Sequence, residues 1–425
     1  MADVVIIGAG LAGLVCAARL ETAGLTVLLL EAEDAPGGRI RTDYVDGFRL
    51  DRGFQIVLTA YPELPRHFDV KALRLRPFAQ GALVRCGGRF HHWVDPFRSA
   101  FADALGTVFD PMVSIGDKIR AAHLRRRVSA GAISALFRGP EMTTGRLLKS
   151  LNFSERMIES CFAPLTACSF LEREMATSSR CFQFLLRMLA NGSAAVPELG
   201  MERLPRQLAV RLRADTLRTH SRVTGLRRSE KGFVVETAMG AHATSYVVLA
   251  TEDVQLRSLA VALGARRQPD VVWNRATTYY YAASRSPIEG PWLALNGDGP
   301  AAGPVNHAVV TSQASEHYAP PGAHLVAANV VGRAPQMTPQ IEQLEREVRA
   351  HLGQWFGPDV AGWTVLGGYP TVQALPLCVH LDWEQSSPRL AAGLYSCGDA
   401  REMPSIQGAL VSGRRAAEAL LYDAS

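Results

Sequence analysis

The chain has 425 residues, 48% of them hydrophobic and 20% charged, a balance that excludes a disordered chain and predicts ordinary globular folding. Single cores stop growing near ~250 to 300 residues, so two domains are expected. The formal net charge of +5 is carried almost entirely by scattered arginines; without a basic stripe it argues against nucleic acid, and the densest cluster, Arg125, Arg126 and Arg127, suits a solvated helix end, with peripheral contact to anionic lipid or an acidic partner as the alternative.

The first element is Val4 to Ile7, a short β-branched apolar run that suits a strand buried on both faces of a parallel sheet. Gly8, Gly10 and Gly13 follow, with Ala9, Leu11 and Ala12 between them. The first glycine permits a tight turn, the second lets a pyrophosphate approach the backbone, and the third lets helix and strand pack closely. A helix is expected from Leu14 to Ala23, its N-terminal N–H groups and dipole facing a phosphate. Gly24 ends it, and a second buried strand covers Leu25 to Leu30. Glu31 then stands 18 residues after Gly13, where a carboxylate accepts hydrogen bonds from an adenosine ribose, with Ala32 beside it. An acid there disfavours a 2′-phosphate, which leaves FAD or NAD.

Next comes "APGGRIRTDYVDGFRLDRGFQIV" at 35–57. An arginine presented by a Gly-Gly turn, here Arg39 after Gly37 and Gly38, can neutralise pyrophosphate, and small residues let backbone pass close to a flat ring. A surface ion pair is the plainer role for Arg39. Residues 97–190 read as helices, for example "RSAFADALGTVF" and "CFQFLLRMLANG", broken by Pro and Gly. "PELGMERLPRQLAVRL" at 197–212 enters another helix, and "RVTGLRRSEKGFVVETAMGAHATSYVVLAT" reads as a strand, a hairpin and a buried strand ending at Thr251. Residues 271–335 read as strands, "ATTYYYAAS", "NHAVVTS" and "AHLVAANVVG"; Tyr279, Tyr280 and Tyr281 fit core packing, the commoner role of tyrosines in a strand, with alternation between pocket and core as the alternative. "NGDGPAAG" at 296–303 is a plain loop, because no strand leads through it into a helix. "GGYPTVQALP" at 367–376 is followed by "GLYSCGDAREMPSIQGALVSGRRAAEALL" at 393–421, a strand, a Gly-Asp pair and a helix beginning near Ser405.

The blocks at 35–57, 197–212 and 393–421 together resemble the FAD-dependent amine oxidase and phytoene desaturase superfamily, which includes protoporphyrinogen oxidases. "FSERMIESCFAPLTACSFLEREMATSS" resembles its desaturase-like branch. The resemblance implies an α/β fold: a Rossmann-like FAD-binding domain (1–80, 195–270 and 390–425) with a mixed α+β substrate domain (81–194 and 271–389), as in amine oxidase and glutathione reductase-type flavoproteins. It implies that FAD is held by Gly8, Ala9, Gly10, Leu11, Ala12, Gly13, Glu31, Ala32, Gly38, Arg39, Gly53, Phe54 and Gln55, by Val223 through its backbone, and by Gly398 and Asp399 at the ribityl chain. Ile406, Gln407, Gly408 and Ala409 would lie against the flavin, where a helix N-terminus faces the N1 and O2 edge and stabilises charge developing on the ring. Covalent relatives attach flavin in a G-G-C-Y segment, whereas Gly367, Gly368 and Tyr369 run on without a cysteine, so non-covalent FAD is expected.

Relatives that oxidise amines place a lysine on the strand matching "VVWNRATTYYYAAS", yet Lys71, Lys118, Lys149 and Lys231 are the only lysines and none falls there. Tyr369 and Gln373 are the candidates for substrate contact. The expected activity is hydride transfer from a carbon of a small organic, largely apolar substrate to flavin N5, of desaturase or dehydrogenase type. A flavin amine oxidase is the alternative, and a flavin-free binding protein of the Rab escort and dissociation-inhibitor type is the alternative of another class. The seven cysteines form no C-x-x-C pair or zinc spacing, so free thiols and no metal are expected. No leader or membrane-length apolar run is evident, and a cytoplasmic location is expected. The sequence leaves the oligomeric state open.

Overall fold

Short strands that are apolar at every position need cover on both faces, and the chain provides it by folding its two ends around the same sheet. The computed structural model describes residues 2–94, 110–251, 254–265, 270–381 and 387–425; the stretch "RSAFADALGTVF" lies outside them. Val4–Ile7, fully buried, pairs in parallel with Val27–Leu30 on one side and Tyr246–Leu249 on the other. Leu217–Arg218 extends the sheet beyond Val27–Leu30, and Leu394–Ser396 and the antiparallel edge strand Arg389–Ala391 complete six strands. The helix Leu11–Thr22 packs against the C-terminal helix Ile406–Ala424 across one face. The antiparallel meander Val223–Ser229, Gly232–Thr237 and Gly240–Thr244 covers the other, through Leu226, Phe233 and Val235.

The first helix begins at Leu11, three residues earlier than the sequence pattern suggests. Gly10 is its N-cap, extended at φ −68° and ψ 175°, so Gly13 falls inside the first turn. The strand after it is Val27–Leu30, and the one expected to reach Thr251 stops at Leu249, leaving Ala250 and Thr251 in the loop above the sheet.

A second sheet runs in the order Thr364–Pro376, Trp273–Ala283, His324–Val331, Val305–Val310, Leu293–Asn296, Gly81–Cys86, Arg89–Val94. Its neighbours are antiparallel except Leu293–Asn296 with Gly81–Cys86. Side chains alternate across a strand, so each residue chooses one of two faces. Tyr279, Tyr281, Ala328 and Val330 meet Leu344, Val348 and Leu352 of the helix Thr338–Phe356 in a separate core, while Tyr280, Ala327 and Val309 join the main one. Helices from Ile115–Ser129 to Ser179–Asn191 close the remaining side, and between them Ile158–Phe162 winds as one π-helical turn. In the basic cluster Arg125 reaches the Ala190 carbonyl, while Arg126 and Arg127 are exposed.

Asp51 joins the two halves. It is 3% exposed, accepts from Thr42 Oγ1 and Met201 N–H at Oδ1 and from Tyr318 OH at Oδ2, and its carbonyl takes the Tyr280 hydroxyl. Burial outweighs these donors and raises its carboxyl from 3.8 to about 6. With the folded value above the unfolded one, the proton's stabilising contribution is complete below pH 4 and lost as pH rises through 6, about 3 kcal/mol in all. Asp51→Asn retains an acceptor for Thr42 and Met201 without the charge. Its denaturation midpoint should therefore exceed that of the wild type at pH 7.5, and the gap should narrow by pH 4.5; a gap unchanged by pH would contradict this.

Candidate active site

The two sheets and the helical layer line an open-mouthed cavity of about 770 Å³. Its walls include Gly8, Gly10, Leu11 and Ala12 of the glycine turn, then Glu31, Ala32, Gly38 and Arg39, then Gly53, Phe54 and Gln55. Val223, Gly398, Asp399, Ile406 and Ala409 close this half, and Tyr369 and Gln373 face it from the second sheet. Segments from both ends and the middle of the chain thus meet at one space.

Four residues expected at the cofactor do not line the cavity and form its backing. Ala9 is buried, with its N–H donated to Glu31 Oε2 at 2.8 Å. Gly13 lies against the Gly8 carbonyl. Gln407 turns away to accept the Glu63 N–H at 3.1 Å. Gly408 gives its N–H to the Ser405 cap and sits so close to the Met403 carbonyl that no Cβ would fit.

Glu31 also accepts the Glu33 N–H at Oε1, 3.0 Å away. Arg39 forms an ion pair. Its guanidinium pairs with Asp399 Oδ1 at 2.5 Å, donates to the Ala374 carbonyl at 3.0 Å, and lies over the Trp273 ring at 5.3 Å. The arginine assigned to pyrophosphate and the acid assigned to the ribityl chain are therefore partners, and the pair lines the cavity rather than the outer surface. Gln55 donates to the Arg39 carbonyl, leaving its buried Oε1 without a partner among the described residues.

The other half is apolar, walled by Ile56, Leu58, Tyr61, Phe170, Leu171 and Phe184, with Cys168 and Cys181 among them. Tyr61 stacks on Phe184 with 13° between the rings, and burial pushes its hydroxyl well above the usual range. All seven cysteines are free thiols, although Cys181 Sγ stands 3.8 Å from Cys378 Sγ. Among the described residues no cluster of three His, Cys, Asp or Glu could hold a metal, and no helix is long and apolar enough to cross a membrane.

None of Tyr279, Tyr280 and Tyr281 lines the cavity; all three pack in the core, as strand tyrosines commonly do, and the pocket-facing alternative does not hold. Tyr279 and Tyr281 point into the core under the helix Thr338–Phe356, and Tyr280 is tied to Asp51; the cavity sees Ala276 and Thr278 instead. "GGYPTVQALP" belongs to the long strand Thr364–Pro376. Tyr369 lies on it, edge-on to Tyr280 and donating to Asp43 Oδ2 at 3.0 Å. Burial and the Asp43 charge hold its hydroxyl far above the usual range, so it remains a neutral donor.

Strand register adds a feature that the sequence did not reveal. Tyr369 is the partner of Thr278, Thr278 of Asn329, and Asn329 of His307, so four polar side chains cross four strands in one row, all lining the cavity. Phe54 N–H donates to Thr278 Oγ1 at 3.1 Å, and the threonine donates to Asn329 Oδ1 at 2.6 Å. Burial lowers His307 to about 3, so its ring is neutral.

A parallel sheet with a glycine turn, an acid at the next strand end and a large cavity above them define a dinucleotide-binding α/β fold. A provisionally named protoporphyrinogen oxidase from Exiguobacterium sp. 255-15 has this fold, with a TM-score of 0.72 over 99% of this chain and 98% of that one at 18% identity. The model of the family "Flavin containing amine oxidoreductase" matches residues 11–421, and the chain belongs to that family. Its cofactor is accordingly a flavin, and the dinucleotide fold around the glycine turn makes it FAD. The chain is 38% identical to a phytoene desaturase of Fusarium fujikuroi over 94 residues and 48% identical to a putrescine oxidase of Kocuria rosea over 62. Those stretches cover 16% and 13% of the two relatives.

Proposed function

We propose that this protein is an FAD-dependent oxidoreductase of the dehydrogenase or desaturase type, acting on a carbon of an organic and largely apolar substrate. One observation carries the choice. Among the described residues lining the cavity the only carboxylates are Glu31 and Asp399, both in the cofactor half, while the opposite half carries no carboxylate and is largely apolar apart from the neutral row Tyr369, Thr278, Asn329 and His307. A cationic amine buried there would lack the counter-charge that a desolvated ion requires, and Ala276 and Thr278 offer no lysine beside it.

The residues fit the cofactor. The glycine turn presents bare backbone at a helix N-terminus, Glu31 retains lone pairs for ribose hydroxyls, and Gln55 Oε1 is an unpaired buried acceptor. Bound there without a covalent link, FAD would accept a hydride from the substrate carbon. The chain's own part is to hold the substrate between the apolar wall and the second sheet, with Tyr369 and Gln373 as substrate contacts, and to exclude water. Tyr369 gives its one O–H to Asp43, so toward the substrate it offers its ring and a phenol oxygen that accepts, and it does not serve as a base. We assign 1–80, 195–270 and 390–425 to the cofactor and 81–194 and 271–389 to the substrate. Seven free thiols suit a reducing compartment, and we place the protein in the cytoplasm.

The likeness to the putrescine oxidase favours amine oxidation as the second reading. Anaerobic mixing of the yellow holoprotein with neutral polyenes and cyclic alkenes on one side, and primary and secondary amines on the other, separates the two. Bleaching of the flavin by neutral compounds alone is expected. Bleaching by amines alone would overturn the assignment, and a preparation binding no flavin at all would favour a pure binding protein.

A further inference from the structure

His307 is 1% exposed yet lines the cavity, and its surroundings fix which ring nitrogen carries the proton. A bulge between Val305 and His307 brings Asn306 beside the histidine. Asn306 Nδ2 donates to the Pro164 carbonyl at 3.1 Å, which orients the amide, and the same nitrogen stands 3.1 Å from His307 Nδ1. Nδ1 of the neutral ring is thus the acceptor and Nε2 carries the hydrogen. Among the described residues Nε2–H has no partner. Phe54 packs on the ring with centroids 5.5 Å apart and holds its plane. The neighbouring Asn329, 4% exposed, has its Nδ2 unpaired as well, because Thr278 occupies its oxygen. Asn329 Nδ2 is thus a buried donor without a partner, and His307, with no bond at Nε2 among the described residues, lines the cavity beside it; donors so placed cost stability unless a ligand or water satisfies them.

We propose that His307, through Nε2–H and seconded by the Asn329 amide, is a specificity-determining residue that donates to a carbonyl oxygen on an otherwise apolar substrate. The site selects an oxygenated substrate over the bare hydrocarbon of the same shape. This rests on the apolar-substrate reading above. Neither residue supplies charge, so the discrimination comes from leaving the donors unpaired when the oxygen is missing.

The test uses the holoprotein and two matched probes, 1-tetralone and tetralin, titrated while following the flavin spectrum. The ketone should bind tighter by roughly 5- to 150-fold, the cost of a buried unpaired donor. His307→Phe, which keeps the ring against Phe54, should bring the ratio toward one with tetralin affinity retained, and His307→Gln should restore most of it. A wild-type ratio near one overturns the proposal whatever the variants do, and so does an unchanged ratio in His307→Phe. Loss of flavin in His307→Phe but not in His307→Gln would give the hydrogen bond to the cofactor and overturn it too. Binding of benzylamine with neither probe bound would instead remove the apolar-substrate reading beneath it.

Discussion

Gly13→Ala is expected to yield almost no folded protein, whereas Gly10→Ala should fold and purify without its yellow colour. A Cβ on Gly13 would stand 2.0 Å from the Gly8 carbonyl oxygen and 3.1 Å from Ala250 Cβ. The first obstacle is backbone in the turn itself, so the helix must leave the sheet, at a cost above ~3 kcal/mol. Gly10 is the opposite case. Its φ of −68° suits any residue, and no atom lies within 4 Å of the added carbon. Alanine at an N-cap costs at most about 1 kcal/mol. The new methyl would project where the glycine turn meets the cavity, into the approach that a pyrophosphate needs. Circular dichroism with absorbance of the purified protein reads both effects. A Gly10→Ala protein that is folded and fully yellow would place the pyrophosphate elsewhere.

What could be read from the sequence was whatever is local. The glycine turn and the acid after the second strand are contiguous, and a backbone conformation needs only neighbours in the chain to show itself; the Gly53–Gln55 segment and the Gly398–Asp399 pair are contiguous too, but their roles are legible only through the family resemblance. What depends on register could not be read. Tyr369, Thr278, Asn329 and His307 come from four strands, and no spacing within any one of them marks the row. The Asn306–His307 pair at the head of an apolar strand is the one local signal of it. Arg39 and Asp399 lie 360 positions apart, so no local pattern couples them. Which face of the tyrosine strand meets the cavity is a further case. Period two gives two faces, but in this sheet both faces are buried, one under a helix and one against Asp51, so alternation alone could not say which face meets the cavity. The π-helical turn at Ile158–Phe162, ahead of the cavity-lining residues 168–171, likewise has no sequence signature.

Glu31→Ala should raise the dissociation constant for FAD by about 10- to 100-fold. The carboxylate is 7% exposed and lines the cavity, and each of its oxygens already takes one backbone N–H, from Ala9 and from Glu33. A carboxylate oxygen accepts at two positions, so these bonds orient the group without exhausting it, and the remaining lone pairs can hold the ribose hydroxyls. Such charge-assisted bonds contribute ~1.5 to 3 kcal/mol, which gives the stated range. The substitution also strands the Ala9 and Glu33 N–H groups, and that loss falls on the folded protein with or without cofactor. Melting of the apoprotein separates the two, because a purely structural role would lower its midpoint and leave the FAD titration of the folded fraction unchanged. Glu31→Gln sharpens the comparison: it can retain the Ala9 bond but turns a donor toward Glu33, so its apoprotein should be closer to wild type while FAD affinity remains reduced. Wild-type affinity in both variants would mean that the ribose does not rest on Glu31.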